Sequence, residues 1–238
     1  MRIFVLTGAG VSAESGLGTF RDADGLWTRY DLREVATPEG FAKDPAKVHA
    51  FYNARRANLR GSEPNAAHRA LARLEAGLAQ RGGAMFLCTQ NVDDLHERGG
   101  VREVTHMHGE LRRVRCQRCG EGRTWDEDLS TATQCMACGR PAGMRPDVVW
   151  FGEVPLHLDR IHGELARSER FVAVGTSGSV YPAAGLVAEA RGLGIPTCEI
   201  NLEPSENATL FDQRVYGPAS EVLPAWVDDL LASTSVRN

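Results

Sequence analysis

Arg2-Ile3-Phe4-Val5-Leu6-Thr7 running into Gly8-Ala9-Gly10-Val11-Ser12-Ala13-Glu14-Ser15-Gly16 decides how this chain folds. A β-branched and aromatic run that breaks into glycines and then helix formers predicts strand, tight turn, helix. Gly8, Gly10 and Ala13 make G-x-G-x-x-A, a close variant of the dinucleotide fingerprint. Glycines there leave room for a phosphate at the backbone, and N–H groups opening a helix can hold it. The same glycines also serve a plain strand-to-helix connection, so the loop alone leaves both readings open. An ordinary dinucleotide fold places an acid roughly 20 residues on, at the end of a second strand. Here that region is Thr28-Arg29-Tyr30-Asp31-Leu32-Arg33-Glu34, charged and unlike a strand, so the loop sits on an unusual frame.

Outward from the loop, the pattern alternates. Residues 38–60 predict two helical pieces, and 66–78 predict an amphipathic helix with Ala67, Ala70, Leu71, Leu74 and Leu78 on its apolar face. Strands are expected at 84–89, 103–107, 171–174 and 195–200, with core resumed at 148–151. Helices are expected at 158–167, 182–191 and 223–231, and the tail after Ala232 reads as disordered. Most of these strands end in polar residues or glycine, the signature of an open parallel α/β sheet whose ligands bind at the carboxyl ends of the strands. The 238 residues suit one large domain with a smaller one inserted.

A net charge of −4 argues against a general nucleic-acid binder, and no apolar run is long enough for a membrane span or a signal-peptide core. A cytoplasmic monomer is the expectation. Six cysteines in that compartment point to metal or free thiols rather than disulfides. Cys116-x-x-Cys119 and Cys135-x-x-Cys138, separated by residues 120–134, have zinc-ribbon spacing, with iron or chance thiols as the alternatives. Four protein sulfurs leave a zinc ion no open position, so its role would be structural. Cys88 and Cys198 lie in apolar strands and read as packed residues.

His106-Met107-His108-Gly109 ends a predicted strand, where a histidine is more often a structural hydrogen-bonding residue than a catalyst. His68 and His96 fall on helices and read as structural.

Residues 8–27, GAGVSAESGLGTFRDADGLW, together with Gln90-Asn91-Val92-Asp93 and His108-Gly109, resemble the sirtuins, the NAD-dependent protein-lysine deacylases. The resemblance runs from Leu6 to about Ser220. It implies a Rossmann-like open parallel sheet (1–27, 72–110, 147–238) carrying a small part made of a helical segment (28–71) and the zinc ribbon (111–146). It implies that Gly8, Ala9, Gly10, Ala13, Glu14, Thr19, Phe20, Arg21 and Trp27 belong to the NAD site, with Phe20 excluding water. Gln90 would position the ribose, and Asn91 and Asp93 would hold the nicotinamide amide. His108 would be the general base that takes a ribose hydroxyl proton, with Asn91 beside it in catalysis. Gly175, Thr176 and Ser177 would approach the phosphates, and Asn201, Leu202, Glu203 and Ala219 the adenosine side. Val149, Phe151, Gly152, Glu153 and Val180 would bind an acylated-lysine peptide as an added strand. The sirtuin class that removes succinyl and malonyl groups carries a Tyr-x-x-Arg pair and an alanine before Thr-Pro, here Tyr52, Arg55 and Ala36. From spacing alone, Arg55 reads as a solvated arginine beside a core tyrosine.

One departure is Asp147, where related sequences often have histidine. Three functions fit: deacylation giving nicotinamide and O-acyl-ADP-ribose, ADP-ribosyl transfer or NAD hydrolysis in the same pocket, or a non-catalytic NAD- and zinc-binding module. The intact Asn91, Asp93 and His108 set speaks against the last, since a binder needs no base there.

Overall fold

The computed structural model describes residues 1–18 and 31–235. Its core is a six-stranded, all-parallel sheet in the order β3-β2-β1-β7-β8-β9. Here β1 is Arg2–Thr7, β2 Ala84–Thr89, β3 Val104–His106, β7 Arg170–Val174, β8 Thr197–Asn201 and β9 Gln213–Tyr216. Alternation along β1 splits its side chains between two cores. Ile3 and Val5 face Leu71, Leu74 and Leu78 of helix α4 (Ala66–Ala79) and Leu223 and Val227 of α8 (Ala219–Ser235). Phe4 and Leu6 face Ile161 and Leu165 of α6 (Leu158–Ala166) and Val187 and Ala190 of α7 (Leu186–Gly192). Helices on both faces are what a parallel sheet requires, because neither face can be left to water.

The chain runs outward in one direction through β1, β2 and β3, and in the other through β7, β8 and β9. The order therefore reverses between β1 and β7, and a crevice opens at their carboxyl ends. A second, antiparallel sheet has the order β5-β4-β6, where β4 is Gly109–Cys116, β5 Gly122–Thr124 and β6 Met144–Val148. Beside it lie α1 (Leu32–Val35), α2 (Pro38–Lys43) and α3 (Pro45–Gly61). The start of α3 is set by Pro45 at its first turn and by the Asp44 carboxylate accepting from the Lys47 amide.

Three expectations need correction. No α-helix follows Gly8 within residues 9–15: the backbone makes two short 3-10 turns, Ala9–Val11 and Ala13–Ser15, and Gly16 ends them at φ +82°. The glycines of this loop are required by chain packing. A Cβ on Gly10 would come within 2.8 Å of Gly175 Cα, and one on Gly8 within 2.8 Å of the Gly175 carbonyl oxygen. The tail is ordered further than expected, α8 continuing to Ser235. Residues 31–35, which read as merely charged, form an Asp31-capped helical turn, the carboxylate accepting from the Arg33 amide. Strands β4, β5 and β9 carry no clear periodicity and were not among the expected elements.

Candidate active site

Where the sheet order reverses, a cleft of about 980 Å³ opens. Gly8, Ala9 and Gly10 meet Gly175, Thr176 and Ser177 on one wall, with Asn201, Leu202 and Glu203 beyond β8. Gln90, Asn91, Asp93 and His108 form the floor. Ala36, Tyr52, Arg55, Val149, Phe151, Gly152, Glu153 and Val180 line the other end. Ala13, Glu14 and Ala219 do not line it; the Glu14 carboxylate accepts from the amide and hydroxyl of Ser220 at the start of α8. Thr19, Phe20, Arg21 and Trp27 lie outside the described residues.

The glycine loop and the β7 loop are locked together. The Gly10 amide donates to the Gly175 carbonyl at 2.8 Å and the Gly8 amide to Val174 at 3.0 Å. Gly175 adopts φ +61°, and a Cβ there would sit 2.5 Å from the Val11 nitrogen. The Asn201 amide donates to the Thr176 carbonyl at 2.8 Å, and the Gln90 amide to Thr176 Oγ1 at 3.0 Å. The ends of β1, β2, β7 and β8 are thus hydrogen-bonded together at the crevice, where ligands of such sheets bind.

The floor is a buried polar network. Ser12 Oγ donates to Asp93 at 3.1 Å and accepts from the Asn91 amide at 3.2 Å. His68 accepts the Asn65 amide at Nδ1, so its Nε2 carries the proton and points at Ser12 Oγ, 3.3 Å away. Burial holds His68 neutral, drawing its pKa down to about 4. His96, whose ring lies tilted against that of His68 at 5.0 Å between centroids, bonds Thr7 Oγ1 at 2.9 Å. Burial raises the pKa of Asp93, opposed by bonds from the Leu95 amide and Ser12. Ser12, which lines the cleft, was missed as a site residue, and the signal for it was its place inside the glycine loop. His68 and His96 do not line the cleft; they are buried, hydrogen-bonded structural residues, as expected, His68 supporting Ser12 from below.

His108, the remaining floor residue, is half-buried. Its Nδ1 lies 3.0 Å from the Gln90 carbonyl, an acceptor, so the proton is on Nδ1 and the lone pair on Nε2. Burial lowers its pKa below the ordinary 6.5, which keeps that lone pair available at neutral pH. Gly109 follows at φ +78°, where a Cβ would strike the Asp147 carbonyl, so the His-Gly pairing has a backbone cause.

At the far end, Trp150 Nε1 donates to the Tyr52 hydroxyl at 2.9 Å, leaving the phenolic proton for another acceptor. The Arg55 guanidinium lies 5.6 Å from the Tyr52 ring centre. Its pKa is lowered, chiefly by burial, against support from Tyr52 and Asp93. The loop at 149–153 is held firmly. The Val149 amide donates to the His108 carbonyl at 2.8 Å and Phe151 to Ala36 at 2.9 Å. Glu153 lines the cleft, but its carboxylate is engaged inside the protein, accepting from Arg145 at 2.7 and 2.9 Å and from the Trp150 amide at 2.8 Å. Asp147, the departure noted in the sequence, faces Arg115 at 3.6 Å.

The four ribbon sulfurs lie within 4.8 Å of one another, with 3.9 Å between Cys116 and Cys138 and 3.6 Å between Cys119 and Cys135. Four ligands at about 2.3 Å from a tetrahedral zinc stand about 3.8 Å apart, so the quartet fits that ion. Each knuckle turns on a glycine, Gly120 at φ +77° and Gly139 at φ +68°. Backbone N–H groups from Cys119 and Arg118 pull the Cys116 thiol down to about 7, towards the thiolate a metal needs.

Fold and site together define a Rossmann-like nucleotide-binding protein with a four-cysteine ribbon set beside the crevice. The Sir2 family model matches residues 8–182, and the chain belongs to that family. It is 68% identical, over 98% of both chains, to a Caulobacter vibrioides protein called NAD-dependent protein deacylase. It is 53% identical to an Escherichia coli (strain K12) protein of the same description, over 97% of this chain and 82% of that one. A crystal structure of a Sir2 homolog in complex with NAD superposes with a TM-score of 0.88 at 41% identity, covering 98% of this chain and 90% of that one.

Proposed function

We propose that the chain is an NAD-dependent protein-lysine deacylase whose acyl pocket accepts negatively charged groups, succinyl and malonyl, as well as acetyl. The observation that carries this is the position of His108. Its Nδ1–H is fixed on the Gln90 carbonyl, and Nε2 is left for the cleft, between the Asn91–Asp93 floor and the Tyr52–Arg55 end.

In this reading NAD lies along the slot. The glycine loop and Gly175–Ser177 take the pyrophosphate, and Asn201 with Glu203 the adenosine ribose. Asn91 donates and Asp93 accepts at the nicotinamide amide, holding it while its bond to the ribose breaks. The acyl oxygen of the lysine is a weak nucleophile, so orientation within the cleft supplies much of the rate. The substrate peptide adds as a strand beside 149–153, where fixed backbone groups set its register. His108 Nε2 takes a ribose hydroxyl proton, the task a neutral imidazole suits. Asp93, buried and held by Ser12 and the Leu95 amide, is pre-positioned to accept the amide hydrogens.

Zinc, when bound by the four cysteines, supplies cross-linking of the ribbon and no chemistry in the cleft. Six free thiols fit a reducing compartment, which we take to be the cytoplasm, and no described helix is long and apolar enough to cross a membrane. We take the enzyme to act as a monomer on protein partners, without nucleic acid, and take residues 28–71 and 111–146 as the small part of one domain.

Mass spectrometry of a succinyl-lysine peptide with NAD tests this. Free-lysine peptide should appear together with nicotinamide and O-succinyl-ADP-ribose. ADP-ribose alone, or an ADP-ribosylated peptide, would refute it.

A further inference from the structure

Two histidines close the strand end that carries the proposed base, and the second has a separate task. His106 is the last residue of β3 and is 7% exposed. Its Nδ1 lies 3.1 Å from the Asn91 carbonyl and its Nε2 2.7 Å from Glu97 Oε1, on the short helix α5 (Leu95–Arg98). A carbonyl and an ionised carboxylate are both acceptors, so both ring nitrogens must donate. A neutral imidazole has one N–H and would set a lone pair against an oxygen; the imidazolium satisfies both partners.

The surrounding charges agree. Burial draws the His106 pKa down, but the Glu97 bond and charge, the Asn91 carbonyl and Glu110 of β4 together raise it above 6.5. His96, also on α5, is held neutral by burial, and His108 of the same strand end is lowered likewise. The His106 charge in turn favours the ionised form of Asp93. Elsewhere the loop is pinned by the Asn91 amide on Thr89 Oγ1 at 3.0 Å and by the Leu111 amide on the Val92 carbonyl at 2.7 Å. The Asn91 carbonyl is the point at which the His106–Glu97 pair takes hold.

We propose that His106, bridged to Glu97, is a positioning residue: it anchors the Asn91 carbonyl and thereby sets the orientation in which Asn91 and Asp93 receive nicotinamide, which rests on the assignment of that loop made above. The anchor requires the doubly protonated ring. It is therefore intact below the His106 pKa and weakens as pH rises through it. Removing the Glu97 charge lowers that pKa and moves the weakening to lower pH.

The test uses the full-length, zinc-loaded protein and two probes, nicotinamide as inhibitor and ADP-ribose as a ligand lacking the nicotinamide ring. Glu97→Gln and His106→Gln should raise the nicotinamide inhibition constant roughly tenfold or more, the size of a lost charge-assisted hydrogen bond. ADP-ribose affinity should be unchanged. The alkaline limb of nicotinamide inhibition should fall about one pH unit lower in Glu97→Gln than in the parent. Glu97 is partly exposed, so this variant keeps the test sound even where His106→Gln fails to fold. A Glu97→Gln protein with parental inhibition and pH profile overturns the positioning role, as does an equal loss of ADP-ribose binding. A parent protein that neither consumes NAD nor responds to nicotinamide overturns the loop assignment itself, and the positioning role with it.

Discussion

Replacing Arg55 with methionine separates acyl recognition from everything else the cleft does. The guanidinium sits at the Tyr52 end of the cleft with its charge disfavoured chiefly by burial, so an incoming carboxylate finds a cation that gains from neutralisation. Two unit charges about 4 Å apart at an effective dielectric near 20 attract by about 4 kcal/mol, an upper limit before desolvation of the acyl carboxylate is subtracted. Truncating one partner of such a pair costs about 2–4 kcal/mol, roughly 30- to 1,000-fold in kcat/KM for succinyl-lysine. Acetyl-lysine has no carboxylate, and methionine keeps most of the aliphatic packing, so its loss should stay under about 1 kcal/mol. Asp93 also supports the Arg55 charge electrostatically, and a disturbance passed to the nicotinamide floor would lower both substrates alike. The ratio of the two kcat/KM values, from initial rates on matched peptides, is therefore the quantity to measure. Equal losses on both would show that Arg55 serves the fold and that the acyl reading is wrong.

Removing the His108 ring by His108→Ala should lower turnover by roughly 10²- to 10⁴-fold while ADP-ribose still binds. Because burial lowers the His108 pKa and the base acts only when neutral, activity in the parent should fall on acidification with a midpoint below 6.5 in the kcat/KM profile; a midpoint above 6.5 would contradict the assignment. Cys135→Ala should release zinc, seen by metal analysis, and unfold or aggregate the protein, because binding and folding of such ribbons are coupled; a zinc-free protein with full turnover would disprove the structural role. Gly175→Ala places a Cβ 2.5 Å from the Val11 nitrogen at φ +61°, so the two loops must part; NAD affinity and melting temperature should both drop, and parental values in both would show that the slot tolerates widening.

Local signals carried the sequence reading, and the residues it missed are those whose partners lie far away in the chain. β1 and β2 were legible because buried parallel strands read as short apolar runs bounded by turn residues. The cysteine quartet was legible because each knuckle is a short-range motif. His68 looked like an ordinary helical residue, yet its Nδ1 caps α4 and its Nε2 meets Ser12, 56 positions earlier. The glycine loop shows the same limit from the other side. Its pattern announced a nucleotide, while the steric demand comes from Gly175, a contact no local reading contains.

Helix α3 explains why a ribbon that does no chemistry lies beside a catalytic cleft. One set of its residues, Tyr52 and Arg55, lines the cleft at the end proposed to take the acyl group. Another set turns to the ribbon sheet and its loops. Asn53 exchanges two hydrogen bonds with the Leu129 backbone, donating to its carbonyl and accepting its amide at 2.9 Å each. Arg56, fully buried, donates to the Leu111 and Glu127 carbonyls at 3.2 Å, and His49 Nε2 bonds the Met144 carbonyl at 3.0 Å. A buried guanidinium is costly unless such carbonyls receive it, so the helix can keep this packing only while the ribbon holds its shape. Leu129 shares a small apolar core with Cys116 and Cys135, too few side chains to hold the segment at 125–143 on hydrophobic burial alone. The metal supplies the missing cross-link. Through Asn53 and Arg56, the placement of Tyr52 and Arg55 is thus fixed by four thiolates at the other end of the small sheet.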